Sequence, residues 1–241
     1  MSNAKSRPPQ KDEIVLHELK REKGPTLIFL HGFLGNHSDW NEVVKELPFP
    51  CLALDLPGHG KAPFTPNFCE YLLEETKHYV PLHLIGYSMG GRLALQFAAF
   101  HPEKINSLTL ISAHLGLTSG QQNRLEKDRA LAQKLLSLPI DEFLTIWYDQ
   151  PIFKTLVAKR DIRSMRMNQN PELLSRALEA YSLGHQPNLS HIPAHLIVGE
   201  LDSDYRAHYQ PFPHTIIPNA GHAVHLENPK ALAGALHDSF H

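Results

Sequence analysis

Leu82-His83-Leu84-Ile85-Gly86-Tyr87-Ser88-Met89-Gly90-Gly91-Arg92 is the stretch on which the fold of this chain turns. Its first four residues make a short apolar run, the pattern of a strand buried on both faces. The residues that follow, 93–100, read Leu-Ala-Leu-Gln-Phe-Ala-Ala-Phe, strong helix formers with an apolar face. Between strand and helix lies Gly86-x-Ser88-x-Gly90, the pattern of a nucleophile elbow. So tight a turn strains the backbone of its central residue and exposes the hydroxyl. It also brings neighbouring segments so close that a side chain two positions before or after the serine would clash, and glycine removes that clash. The free N–H groups of the helix then point to where negative charge would develop on a reacting group.

Outward from the elbow the pattern repeats. Residues 26–30, 51–55 and 107–111 are apolar runs of strand length, and helical stretches at about 38–47 and 67–78 separate them. Ser38 and Asp39 are the candidate N-caps of the first of these helices. Residues 14–19 alternate weakly, as an edge strand does. Strands alternating with helices at this interval require crossover connections and a mostly parallel sheet with helices on both faces. The alternation stops after 114. From 115 to 190 the chain reads as helices at 121–138, 140–148 and 171–183, punctuated by Pro139, Pro151 and Pro171. Strand signals return at 194–199 and 215–218, and a helix over 228–240 closes the chain. The expected organisation is an N-terminal arm over 1–13, an α/β core over 14–114 and 191–241, and an inserted helical cap over 115–190.

Composition excludes several function classes. The 241 residues are 42% hydrophobic and carry a formal net charge of −2, so no global field draws the chain to nucleic acid or to an anionic membrane. Residues 1–13 are polar, with Pro8 and Pro9 and no apolar core of signal-peptide length, and no apolar run reaches membrane-spanning length. A soluble cytoplasmic protein is the expectation. The two cysteines, Cys51 and Cys69, lack metal-ligand spacing, and no metal site is expected.

A serine hydroxyl needs a histidine to take its proton and a carboxylate to orient that histidine. Both follow in the required order, each after a late strand. Asp202 lies in Glu200-Leu201-Asp202-Ser203-Asp204, where Glu200 is closer to the strand and Asp204 is placed to cap the next helix. His222 follows Gly221 in Asn219-Ala220-Gly221-His222-Ala223-Val224-His225, and His225 is the packing alternative. One histidine among 17 means little alone; three matches in order carry weight. Together HGFLG, DLPGHG, GYSMGG, the GELDS segment and AGH resemble the α/β-hydrolase superfamily across the chain outside the cap. The resemblance implies an oxyanion hole from the backbone N–H groups of Phe33 and Met89, with His31 and Gly32 shaping the first of these.

Arg92 stands four residues beyond Ser88 and can share a helix face with it. A cation near a helix N-terminus opposes the dipole, which suggests an anionic ligand; an arginine swung to solvent is the alternative. The cap adds Arg124, Arg129, Arg160, Arg163, Arg166 and Arg176, together with the aromatic cluster Trp147-Tyr148-Asp149-Gln150-Pro151-Ile152-Phe153. Several guanidinium forks suit a substrate with several carboxylates. The combination GFLGNHSDW, GYSMGGR, RLEKDR, WYDQPIF, RMNQN and GELDSDYR resembles one member family, the 2-succinyl-6-hydroxy-2,4-cyclohexadiene-1-carboxylate synthases of menaquinone biosynthesis. That resemblance implies a lyase without cofactor, a small polycarboxylate substrate, carboxylate binding by Arg92, Arg124 and Arg166, and pocket positions at Tyr87 and Trp147. A general serine hydrolase shares the Ser–His–Asp pattern and differs in what the cap binds. A dehalogenase is disfavoured because its chemistry needs a carboxylate where Ser88 stands. A hydrolase-like ligand receptor is the non-enzymatic alternative.

Overall fold

The computed structural model describes residues 15–240; the expected arm over 1–13 lies outside them. In chain order the elements begin with β1 (Leu16–Lys20), β2 (Leu27–Leu30), α1 (Asn41–Lys45), β3 (Cys51–Leu54) and α2 (Phe68–Thr76). Then come β4 (Leu82–Tyr87), α3 (Met89–Phe100) and β5 (Ile105–Ile111). Four helices follow without a strand: α4 (Gln121–Ser137), α5 (Ile140–Tyr148), α6 (Lys159–Arg166) and α7 (Pro171–Ala180). The chain closes with β6 (His195–Gly199), α8 (Ser203–Tyr209), β7 (His214–Ile217), α9 (Val224–Glu227) and α10 (Pro229–Asp238).

The seven strands form one sheet in the order β1-β3-β2-β4-β5-β6-β7. β1 runs antiparallel to β3, and every other pairing is parallel. All four residues of β2 and of β3 are buried, as their unbroken apolar runs require of strands covered on both faces. Parallel order puts the C-terminal ends of β2, β4, β5, β6 and β7 along one edge, where open α/β sheets carry their ligands. This is the α/β-hydrolase fold. Among the described residues no helix is long and apolar enough to cross a membrane.

Local chemistry moves some boundaries. The helix expected over 38–47 is a 3-10 turn, His37–Trp40, running into the short α1. Its N-cap is Asn36, whose side chain accepts the Ser38 N–H at 2.9 Å, and not Ser38 or Asp39. Asp39 is instead buried and ion-paired, so its carboxylate is committed elsewhere. In the segment between β5 and β6, α6 is a helix the sequence did not mark, because its eight residues carry five charged side chains. Cys51 and Cys69 are both free thiols, and burial pushes the Cys51 thiol up to about 12.

Candidate active site

Ser88 sits at the β4–α3 junction with φ 48° and ψ −110°, a left-handed value that a non-glycine residue adopts only under constraint. Its N–H donates to Ile111 O at 3.0 Å, which ties the turn to β5. The glycines on either side are sterically required. A Cβ on Gly86 would stand 2.5 Å from Gly91 Cα, and one on Gly90 would stand 2.4 Å from the carbonyl oxygen of His31. The second contact brings the loop after β2 against the elbow. A Cβ on Gly32 would lie 2.6 Å from the Tyr87 ring and 3.5 Å from Ser88 Cβ.

His222 and Asp202 arrive on the loops after β7 and β6. His222 Nδ1 lies 2.9 Å from Asp202 Oδ2, and its Nε2 lies 3.4 Å from Ser88 Oγ. An ionised carboxylate can only accept, so Nδ1 carries the proton and Nε2 offers its lone pair to the Ser88 hydroxyl. The second distance is at the long end of a hydrogen bond. Asp202 also caps α8, its Oδ1 accepting the Tyr205 N–H at 3.3 Å. The capping role expected of Asp204 therefore belongs to Asp202, and one carboxylate both starts the helix and orients the imidazole. The rings of Tyr205, Tyr87 and Phe153 surround His222 with centroids at 4.8, 5.4 and 5.9 Å. His225 packs between Tyr87 and Trp40, and burial drives it down to about 3, so it is neutral at ordinary pH.

The loop carrying His222 is fastened by residues that sequence reasoning did not select. Glu227 accepts the N–H of Gly221 (3.0 Å) and of Ala223 (3.1 Å), one on each side of the histidine. Glu200 accepts the N–H of Asn219 at 2.9 Å, where the backbone has φ 54°. Asn228 donates to Pro218 O at 2.8 Å. The signal was a carboxylate five residues past the histidine, which means nothing until the chain folds back on it.

The loop after β2 is built the same way. Buried His31 accepts the Leu56 N–H on Nε2 at 2.9 Å and donates from Nδ1 to Gly32 O at 2.7 Å. Burial lowers its pKa, and the neutral ring can serve both bonds. Leu34 follows Phe33 at φ 66°. Gln169, between α6 and α7, donates to Leu34 O and Gly35 O at 3.1 and 3.2 Å and accepts the Gly60 N–H at 3.0 Å. Trp147 of α5 packs on the Phe33 ring with centroids 4.9 Å apart. Met89 is the first residue of α3, one of the positions whose N–H has no partner within its own helix.

The arginines fall into two groups. Arg92 is buried and donates from Nη1 to Tyr181 O at 2.9 Å. Among the described residues no carboxylate pairs with it. Burial first, and the charge of Arg124 second, lower it to about 10, so it remains a cation. Arg124 reaches this neighbourhood from α4. Its Nε donates to both oxygens of Asp128 at 2.9 and 2.8 Å, and buried Asp128 also accepts the Ser182 hydroxyl at 2.6 Å. Arg166 lies within electrostatic reach of His31, Tyr148 and His225. It is fully buried and pairs with Asp39 at 2.5 Å, while its Nε and Nη1 are buried without a hydrogen-bond partner. Burial alone would lower its pKa; Asp39 and Tyr148 outweigh that and raise it. Arg129, Arg163 and Arg176 are not buried. Arg129 is exposed, Arg163 donates to Thr145 Oγ1, and Arg176 lies over the Phe64 ring at 4.2 Å.

Comparison with known proteins agrees with this fold. A profile of the Alpha/beta hydrolase family matches residues 27–235. The 2-succinyl-6-hydroxy-2,4-cyclohexadiene-1-carboxylate synthase of Enterobacter sp. (strain 638) is 36% identical over 232 residues, covering 88% of this chain and 90% of that protein. The enzyme of the same name from Klebsiella pneumoniae subsp. pneumoniae is 34% identical over 232 residues, covering 88% and 92%. Among solved structures, that of MenH from S. aureus superposes with a TM-score of 0.82 at 26% identity, covering 92% of this chain and 95% of that one.

Proposed function

The chain belongs to the α/β hydrolase family, and we propose that within it this protein is a carbon–oxygen lyase of menaquinone biosynthesis. It eliminates pyruvate from 2-succinyl-5-enolpyruvyl-6-hydroxy-3-cyclohexene-1-carboxylate to give 2-succinyl-6-hydroxy-2,4-cyclohexadiene-1-carboxylate. The observation that carries the reading is Arg92: a buried cation one helical turn from Ser88, which no carboxylate pairs with among the described residues. A desolvated guanidinium in that position is costly unless an anion arrives with the substrate. Arg124, within electrostatic reach of Arg92 and paired through Nε with Asp128, adds a second cation. A neutral ester leaves Arg92 without an anionic partner.

The mechanism follows from where the protons sit. His222 Nε2 takes the Ser88 hydroxyl proton, and Asp202 stabilises the resulting imidazolium without itself becoming protonated. The Ser88 alkoxide removes the ring proton beside the succinyl ketone. The electron pair left behind moves onto the ketone oxygen, held by the N–H groups of Phe33 and Met89. One such donor is worth about 3–4 kcal/mol of transition-state stabilisation. The enolate then collapses, the ring double bond shifts, and the C–O bond to the enolpyruvyl group breaks. The imidazolium proton goes to the departing enolpyruvate, which tautomerises to pyruvate. The substrate ketone is the electron sink, so the reading calls for no cofactor. Trp147 closes over Phe33 from the cap, and Tyr87 walls the imidazole with a phenol that burial keeps neutral.

The test follows pyruvate by a coupled assay with the enolpyruvyl substrate. Wild-type turnover is expected. Ser88→Ala should lower kcat by at least about a thousandfold with the melting temperature unchanged within a few degrees. No pyruvate from the wild type, together with efficient cleavage of a neutral aryl ester, would replace the lyase by a serine hydrolase.

A further inference from the structure

Away from Ser88, two imidazoles and a carboxylate from three distant parts of the chain meet. His17 lies on β1, His37 opens the 3-10 turn before α1, and Asp55 follows β3. His37 Nδ1 stands 2.9 Å from Asp55 Oδ1, and His17 Nε2 stands 3.3 Å from Asp55 Oδ2. One donor atom from each residue lies within 4.8 Å of the other two. The imidazole rings stack with centroids 3.4 Å apart. Asp55 is 2% exposed, whereas the imidazoles are 24% and 31% exposed, so the cluster is closed behind the carboxylate and open in front. His17 Nε2 is itself shielded from solvent and makes no hydrogen bond, although a carboxylate oxygen is 3.3 Å away.

We propose that His17, His37 and Asp55 form a binding site for one divalent first-row cation of the Zn2+ class. Two nitrogens and one oxygen suit Zn2+, Co2+ and Ni2+ and are a poor set for Mg2+ or Ca2+, which take oxygen ligands. Ligand bonds of about 2.0–2.1 Å in a tetrahedron put neighbouring donor atoms about 3.3 Å apart. Here each imidazole nitrogen stands 2.9 or 3.3 Å from a different oxygen of Asp55, and one donor atom of each residue lies within 4.8 Å of the other two, so side-chain rotation closes the set. Three protein ligands leave the fourth position to water on the open side. The carboxylate is already oriented, because the His37 backbone N–H donates to Asp55 Oδ1 at 2.7 Å. The rings lie within 14° of parallel, so one ion cannot sit in both planes. Binding therefore swings the imidazoles apart, ends their stacking and gives the unpartnered His17 Nε2 a ligand bond. Lys61 is the cation within electrostatic reach of His17 that a metal must displace or tolerate. A bound ion would pin β1, the 3-10 turn and the loop after β3 together. The next residue, Leu56, donates to His31 at the foot of the Phe33 loop. The proposal is independent of the lyase reading.

The experiment titrates the metal-stripped full chain with Co2+, then with Zn2+. Expected are the intense visible bands of a tetrahedral Co2+ site, abolished by one equivalent of Zn2+. Zn2+ at a hundred times Kd should raise Tm by roughly 5–10 °C. His17→Gln and His37→Gln should each weaken binding at least about tenfold. His191→Gln, at an exposed histidine elsewhere, should leave spectrum and affinity unchanged. Absence of a tetrahedral Co2+ spectrum in the wild type would overturn the proposal, and so would equal Zn2+ affinity in the wild type and a folded His17→Gln protein. Should His17→Gln fail to fold, His37→Gln decides by the same comparison, since its amide can keep the hydrogen bond to Asp55.

Discussion

The sheet and the helical segment laid over it are held by different forces. Strands β2 and β3 are buried along their whole length, β4 and β5 bury their last four residues, and the elbow is locked by contacts that only glycine permits. Helices α4 to α7 have an apolar lining of their own, including Phe143, Leu144, Leu174 and Leu178. They share one apolar cluster with the sheet, and polar contacts fix where they sit on it. Arg166 pairs with Asp39, Gln169 spans the Leu34, Gly35 and Gly60 backbone, and Tyr181 offers its carbonyl to Arg92 and its hydroxyl to Thr65 O. Apolar burial is non-directional and stabilises whatever excludes water. Buried polar pairs stabilise little net but penalise every arrangement that leaves them unmatched. The core is therefore stable by area, and the cap is placed by register.

Breaking that register at its most buried pair should have the largest effect. Asp39→Ala leaves a guanidinium in the interior without its counter-ion, which costs about 3–5 kcal/mol. The expected fall in Tm is roughly 10 °C, read by thermal unfolding. Asp39→Leu combined with Arg166→Met should recover most of it. A fall of under about 2 °C for the single variant would show that the pair is not a fastener.

The core side of the comparison is sharpened by Glu227→Gln. The amide can accept one of the two N–H bonds that bracket His222 but not both. Displacement of the imidazole should lower kcat for pyruvate release about 10- to 100-fold with KM little changed. A raised KM at constant kcat would make Glu227 part of the binding surface instead of a positioning residue. Gln169→Ala should have the smallest effect, about 1–2 kcal/mol from three weakened hydrogen bonds. It should act on KM and on Tm together, because Gln169 joins the cap to the Phe33 loop. An unchanged KM would uncouple the two regions.

How much was legible in advance follows the same division. The elbow announced itself because a strand, a glycine pair and a helix must be adjacent in sequence to make that turn. Asp202 and His222 were legible because each follows its strand directly. The helix over α6 was not, since eight residues rich in Lys, Arg and Asp carry no apolar stripe until Ile162 and Arg166 find buried partners. The cap of the turn before α1 was misread among three adjacent polar residues, and which of them was free to cap depended on Arg166, 127 residues away.

The sequence by itself determined the alternation of strands and helices, the strained serine and the carboxylate and histidine beside it, because those features are written in contiguous residues. Only the tertiary structure decided that Asp202 does two jobs, that Glu227 brackets the imidazole, that Arg92 has no carboxylate partner among the described residues, and that His17 and His37 converge on Asp55. These are contacts between positions far apart in the chain. Nothing local fixes them, because a side chain's partner is set by how the sheet and helices pack, and not by its neighbours in sequence.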